Sequence, residues 1–233
     1  MKVNRLHQWQ VSPAQAKEIQ LGLARSVVTE GEVDNAHFVA GVDISSADSD
    51  GVARGAIVVL SYPELAVVET ETAEDRLTFP YIPGLLSFRE SPLILAACQK
   101  LSNTPDLILV DGQGIAHPRR IGLASHLGLL LDLPTIGCAK SILCGRQKPL
   151  GEKVGSYAEL IDDGEVIGAA LRTRLGVGPI YVSVGHKIDL PSALHWVMNC
   201  CRGYRLPEPT RLAHFAAGGK LVSRPRYQEK LFD

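Results

Sequence analysis

Residues 37–73 read HFVAGVDISSADSDGVARGAIVVLSYPELAVVETETA. His37 to Ile44, Ala53 to Ser61 and Ala66 to Ala73 are rich in Val, Ile, Ala and Thr, which marks strands. The polar turn SSADSDG and the break YPE separate them. Such short connections suit a meander of three antiparallel strands. Asp43 interrupts the pattern. It stands at the end of an apolar run, where a carboxylate is costly unless something pairs it.

Outward from this meander, helix and strand signals alternate. Ser12 as N-cap with Pro13 at the first helical position starts a helix read to Val28, with Ile19, Leu21, Leu23, Val27 and Val28 as its apolar face. Ser87 to Leu101 reads as a helix, with Pro92 tolerated in its first turns. Leu107 to Val110 is a buried, parallel strand ending on Asp111, and a helix follows near Ile121 to Leu131. Thr135 to Ala139, Glu165 to Arg172 and Ile180 to Val184 read as strands, and Leu194 to Cys201 and Thr210 to Gly218 as helices. This order predicts one α/β domain over 1–233: a mixed sheet with helices on its faces. A mobile tail is expected near 223–233.

Composition narrows the possible functions. Apolar residues make up 45% of 233, enough for a full core. No apolar stretch is long enough to span a membrane, and the start MKVNRLHQWQVSP lacks a signal-peptide core. A cytoplasmic monomer without an obligate protein partner is expected. Five cysteines, an odd number with no CxxC pair, argue for reduced core thiols rather than a disulfide framework or zinc site. The net charge of −1 hides an asymmetry: residues 1–111 hold 8 Lys+Arg against 15 Asp+Glu, residues 112–233 hold 16 against 10. An acidic cluster beside a basic surface suits a phosphodiester substrate, although a basic half is more often a solvated face.

Asp43, Asp111 and Lys140 each follow an apolar strand, and ligands gather where the strands of an open α/β sheet end. Two strand-end carboxylates on neighbouring strands can share Mg²⁺, which takes few protein oxygens plus waters and substrate oxygens. Glu90, early in its helix, could face the same ion. Lys140 could hold the scissile phosphate or orient the attacking water. Each residue also has an ordinary alternative: Asp43 as a cap before Ser45, Asp111 as the turn aspartate of DG, Lys140 as a surface lysine. Tyr81, between Pro80 and Pro83, tips a stiff loop and could wedge into a base stack or pack on its own loop. Gly112-Gln113-Gly114 lacks the spacing of a dinucleotide fingerprint; its glycines instead allow close approach to a flat base. His214 could reach the site only if its helix packs near the first strand.

The motifs GVDIS, FPYIPGLLSFRE, DGQGIAHPRRIGLASHLG, GCAKS and VGHKIDLPSA together resemble the endonuclease V family over most of the chain. The resemblance implies a ribonuclease H-like fold and a Mg²⁺-dependent nuclease, Mn²⁺ being able to substitute. The implied substrate is DNA containing hypoxanthine, cut at the second phosphodiester bond 3′ to the lesion to leave a 3′-hydroxyl and a 5′-phosphate. It assigns Asp43, Asp111 and Glu90 to the metal, Lys140 to the reaction centre and His214 to its edge. Tyr81 becomes the DNA wedge, and Leu86, Gly112, Gly114, Gly122 and Leu123 the lesion pocket. Arg119 and Arg120 are expected to touch phosphate, and Gln113 is assigned no role. Inosine-containing RNA is an alternative substrate, and a non-catalytic nucleic-acid-binding domain is a third reading.

Overall fold

In the computed structural model, residues 1–221 are described, so the tail expected near 223–233 lies outside the described residues. Strands β1 (Phe38–Ile44), β2 (Val52–Ser61) and β3 (Val67–Arg76) form the antiparallel meander. Helix α1 (Pro13–Ala24) precedes them and α2 (Leu86–Cys98) follows. Then come β4 (Leu107–Val110), α3 (Leu123–Leu131) and β5 (Thr135–Ala139). Strands β6 (Arg146–Gln147), β7 (Tyr157–Asp162), β8 (Glu165–Leu171) and β9 (Ile180–His186) complete the sheet, and α4 (Leu190–Asn199) and α5 (Glu208–Ala217) end the described chain. The order is β3-β2-β1-β4-β5-β9-β8-β7-β6. β1, β4 and β5 run parallel at its centre, and the other neighbours are antiparallel.

Both sheet faces are covered, because the strands alternate. Val39, Val58 and Leu107 face a core closed by Trp196 and Val197 of α4 and Ala213 and Ala216 of α5. Their neighbours Ala40, Val59 and Ile108 face the opposite core, closed by Ile94 of α2 and Leu127 of α3. A period of two in the strands therefore fills two layers at once. The predicted fold class holds.

Several local expectations need correction. Helix α1 starts as read, with a capping box between Ser12 and Gln15, but ends at Ala24, not Val28. Its expected apolar face docks only in part: Ile19 packs beside the buried Ala16 and Gln20, whereas Leu21 and Val28 are exposed. Ala16 packs with Phe79, Leu85 and Phe88, so a single turn of the helix props the loop that carries Tyr81. The sequence reading left 140–164 without strands, yet β6 and β7 lie there as the sheet's far edge. Helix α4 begins at Leu190, not Leu194, because Asp189 accepts from the Ser192 amide and caps it. The cysteines are free thiols, with Cys98, Cys138 and Cys200 buried.

Candidate active site

Parallel pairing sets Val42 beside Val110, so Asp43 and Asp111 leave the sheet side by side. Val110 in turn pairs with Gly137, which brings Lys140 to the same rim. Lys140 Nζ lies 2.5 Å from Asp111 Oδ2. That covered oxygen has no other partner among the described residues. A buried carboxylate oxygen left this way suits a cation, whose pull needs no donor hydrogen.

His214 reaches the rim from α5. Its Nδ1 is 2.8 Å from Asp43 Oδ2. The approach depends on Gly41: a β-carbon there would lie 1.9 Å from the Pro209 carbonyl oxygen, so only glycine lets the start of α5 rest on β1. The condition that the sequence left open, a helix packed against the first strand, is met.

The carboxylates sense each other. Burial, then the nearby Asp111, raises the Asp43 carboxyl above its usual range, although the His214 hydrogen bond opposes this. Glu90, on α2, is pushed up to about 8 by burial first, then by Asp43 and Asp111. Like charges gathered in poor solvent hold protons unless a cation neutralises them. Among the described residues, however, no three His, Cys, Asp or Glu groups close around an ion by themselves. The structure gathers the pair Asp43 and Asp111, with Glu90 within electrostatic reach rather than as a ready third ligand.

Beside the rim opens a pocket of about 280 Å³, lined by Tyr81, Leu86, Gly112, Gly122, Leu123 and Lys140 among others. Tyr81 is 70% exposed at its mouth, not folded onto its own loop. Gly114 stands behind the wall: a β-carbon there would meet the Val184 carbonyl of β9, so this glycine serves sheet packing. Gln20 and Ser87, which escaped the sequence reading, also line the pocket, as do His117 and Gln113, the latter assigned no role from the sequence. No local signal could have found Gln20; its amide reaches the Gly84 and Ile121 carbonyls across 64 and 101 positions of chain.

Arg119 and Arg120, expected at phosphate, have internal partners in this structure. Arg119 donates to the Gln20 side chain and the Gly84 carbonyl, bracing the Tyr81 loop. Arg120 pairs with Asp162 and Glu165. Several of their guanidinium donors go to internal acceptors, which residue type alone does not reveal. Lys148, Lys187 and Arg211 are likewise paired, with Glu159, Asp132 and Glu208. Much of the basic half is thus a surface of internal ion pairs. No helix among the described residues is long and apolar enough to cross a membrane.

The whole arrangement has close counterparts. The family model for endonuclease V matches residues 22–215. Endonuclease V of Dehalococcoides mccartyi is 52% identical over 217 residues, 93% of this chain and 97% of that one. The crystal structure of endonuclease V from Bacillus subtilis superimposes with a TM-score of 0.89 at 36% identity, covering 94% of this chain and 96% of that one. Endonuclease V of Ciona intestinalis, in complex with a 24mer DNA containing an inosine followed by a ribo-adenosine, gives a TM-score of 0.78 at 29% identity, covering 89% and 96%. With the family model matched across most of its length and such relatives sharing its sequence, the chain belongs to the endonuclease V family.

Proposed function

We propose that this nuclease recognises deoxyinosine in DNA and hydrolyses the second phosphodiester bond 3′ to it, leaving a 3′-hydroxyl and a 5′-phosphate. The observation that carries the reading is the pairing of Asp43 and Asp111 at adjacent strand ends, with Lys140 against Asp111 and a base-sized pocket alongside. The Ciona relative bound to inosine-containing DNA supports the choice of lesion.

Asp43 and Asp111 would hold magnesium, Asp111 Oδ2 being matched in this structure by the positive charge of Lys140 alone. A bound magnesium supplies Lewis-acid neutralisation of phosphoryl charge and a more acidic water. Lys140 adds a point charge beside the scissile phosphate. His214, held to Asp43 through Nδ1 and largely exposed at the rim, can carry a proton beside the site. Tyr81, on its proline-flanked loop, fills the gap left in the stack when the damaged base turns outward. Turning out a weakly paired inosine costs less than turning out a normal base, which gives selectivity before any pocket contact forms. Leu86 and Leu123 then sandwich the base, and Gly112 leaves room at its edge.

The test is a strand bearing one hypoxanthine, labelled at its 5′ end and incubated with and without Mg²⁺, beside an RNA strand of the same sequence. A single Mg²⁺-dependent cut is expected in DNA, giving a labelled fragment that ends one nucleotide 3′ of the hypoxanthine. Cleavage of the RNA strand alone would transfer the reading to inosine-containing RNA, and no cleavage of either would refute it.

A further inference from the structure

Behind the pocket floor runs a chain of hydrogen bonds whose direction is set by chemistry. Ser87, in the first turn of α2, lines the pocket and is 1% exposed. Its Oγ lies 3.0 Å from Nδ1 of His126, a fully buried residue of α3. Nε2 of His126 lies 2.7 Å from Nε2 of His7, and Nδ1 of His7 lies 2.8 Å from the Gln8 carbonyl oxygen. A carbonyl can only accept, so His7 carries a proton on Nδ1. With His7 neutral, its Nε2 accepts and His126 donates from Nε2. His126 Nδ1 is then bare and accepts from the Ser87 hydroxyl. Burial first, then His7, pushes His126 down to about 3, so it takes no second proton. Ser87 thus spends its one hydrogen backwards and has only lone pairs to offer the pocket.

Gln113 is held in the same sense. Its Nε2 donates to the Ser141 carbonyl at 2.8 Å, which fixes which end of the amide is which. Its Oε1 is covered and has no partner among the described residues. A buried acceptor in this state costs free energy until a ligand brings it a hydrogen. Two other polar side chains, Gln20 and His117, release no donor into the pocket, while the Lys140 ammonium at its rim is engaged with Asp111. The Gln20 amide donates to the Gly84 and Ile121 carbonyls. His117 donates through Nε2 to the Gly84 carbonyl and accepts the Arg119 amide on Nδ1.

We propose that Ser87 and Gln113 are specificity-determining residues: they present fixed acceptors to the pocket and select a base whose edge carries a ring N–H. The inference rests on the deoxyinosine reading of the site. Hypoxanthine carries a hydrogen on N1. Adenine has a lone pair there, so it would set acceptor against acceptor and leave buried groups unpaired. The His7–His126 pair acts at one remove, as positioning residues that keep the serine hydroxyl turned away.

The experiment measures kcat/KM on strands bearing hypoxanthine or unsubstituted purine, whose N1 is bare. The wild-type protein sets the reference ratio; if it shows no preference for hypoxanthine, the proposed function fails, and with it the ground for this comparison. Ser87→Ala and Gln113→Leu should each lower the hypoxanthine-to-purine ratio, on the order of tenfold for a lost hydrogen bond to a buried partner. Ser87→Thr keeps the hydroxyl and should retain the ratio. His7→Phe keeps an aromatic ring beside Trp9 and Phe88, frees the tautomer of His126, and should give a smaller fall in the same direction. Melting curves accompany each variant, and Gln113→Leu carries the test if Ser87→Ala unfolds. An unchanged ratio in the folded variants, or equal slowing on both bases, would overturn the proposal.

Discussion

Glu90 offers a measurement that separates the site's design from its stability. Burial, reinforced by Asp43 and Asp111, raises its carboxyl from 4.5 to about 8, against a weaker pull from Arg89. The sign follows from linkage. Below pH 4.5 the group is protonated whether the chain is folded or not, and it costs nothing. Between 4.5 and about 8 the unfolded chain gives up the proton while the folded one keeps it, so stability falls as pH rises. At about 1.36 kcal/mol per pH unit the loss accumulates to roughly 4–5 kcal/mol. Glu90→Gln removes the titrating group while keeping its shape. In EDTA at pH 8 the variant should therefore be the more stable protein by a few kcal/mol, on the order of 10 °C in melting temperature for a chain of this size. The advantage should vanish near pH 4.5. Urea or thermal melts from pH 4.5 to 8.5 provide the assay. Parallel pH profiles for the two proteins, or a wild-type protein that gains on the variant as pH rises, would refute the reasoning.

Three further outcomes are expected. Asp111→Asn should abolish Mg²⁺-dependent cleavage yet retain binding of a hypoxanthine strand, because the pocket keeps its shape while the rim loses a charge; full cleavage in a gel assay would count against the metal role. Tyr81→Ala should reduce discrimination between hypoxanthine and normal DNA several-fold in binding titrations, with little change in melting temperature, since the ring is 70% exposed; unaltered preference would end the wedge assignment. Gly41→Ala should push α5 away from β1, because the new methyl would sit 1.9 Å from the Pro209 carbonyl oxygen; a loss of several kcal/mol in urea melts is expected, and wild-type stability would show that α5 is not held there.

The residues that break a local rule were the ones legible in the chain. Asp43 and Asp111 end apolar strands, where carboxylates do not belong without a purpose, and Tyr81 sits between prolines that stiffen its loop. Their meeting at one rim followed once the strands were parallel neighbours. Residues that follow the rules carry less signal. Arg119 and Arg120 have the right charge for phosphate, and here their guanidinium groups also reach Gln20, Gly84, Asp162 and Glu165. Helix α1 docks through Ala16 and Gln20, with Ile19 alone of its expected apolar face on the same cluster. Two-residue β6 gives no periodicity to detect, and β7 is only half-buried.

Taken alone, the amino-acid order settled most of the strands and helices, β6 and β7 excepted, and which carboxylates sit at strand ends, because side-chain alternation and capping act over a few residues. Partner choice needed the folded molecule. His214 meets Asp43 across 171 positions because glycine at 41 lets two backbones touch. Ser87 points its hydrogen at His126 because a distant carbonyl beside His7 dictates the tautomers between them. Contacts of this kind arise from packing across a sheet, and distance along the chain carries no trace of them.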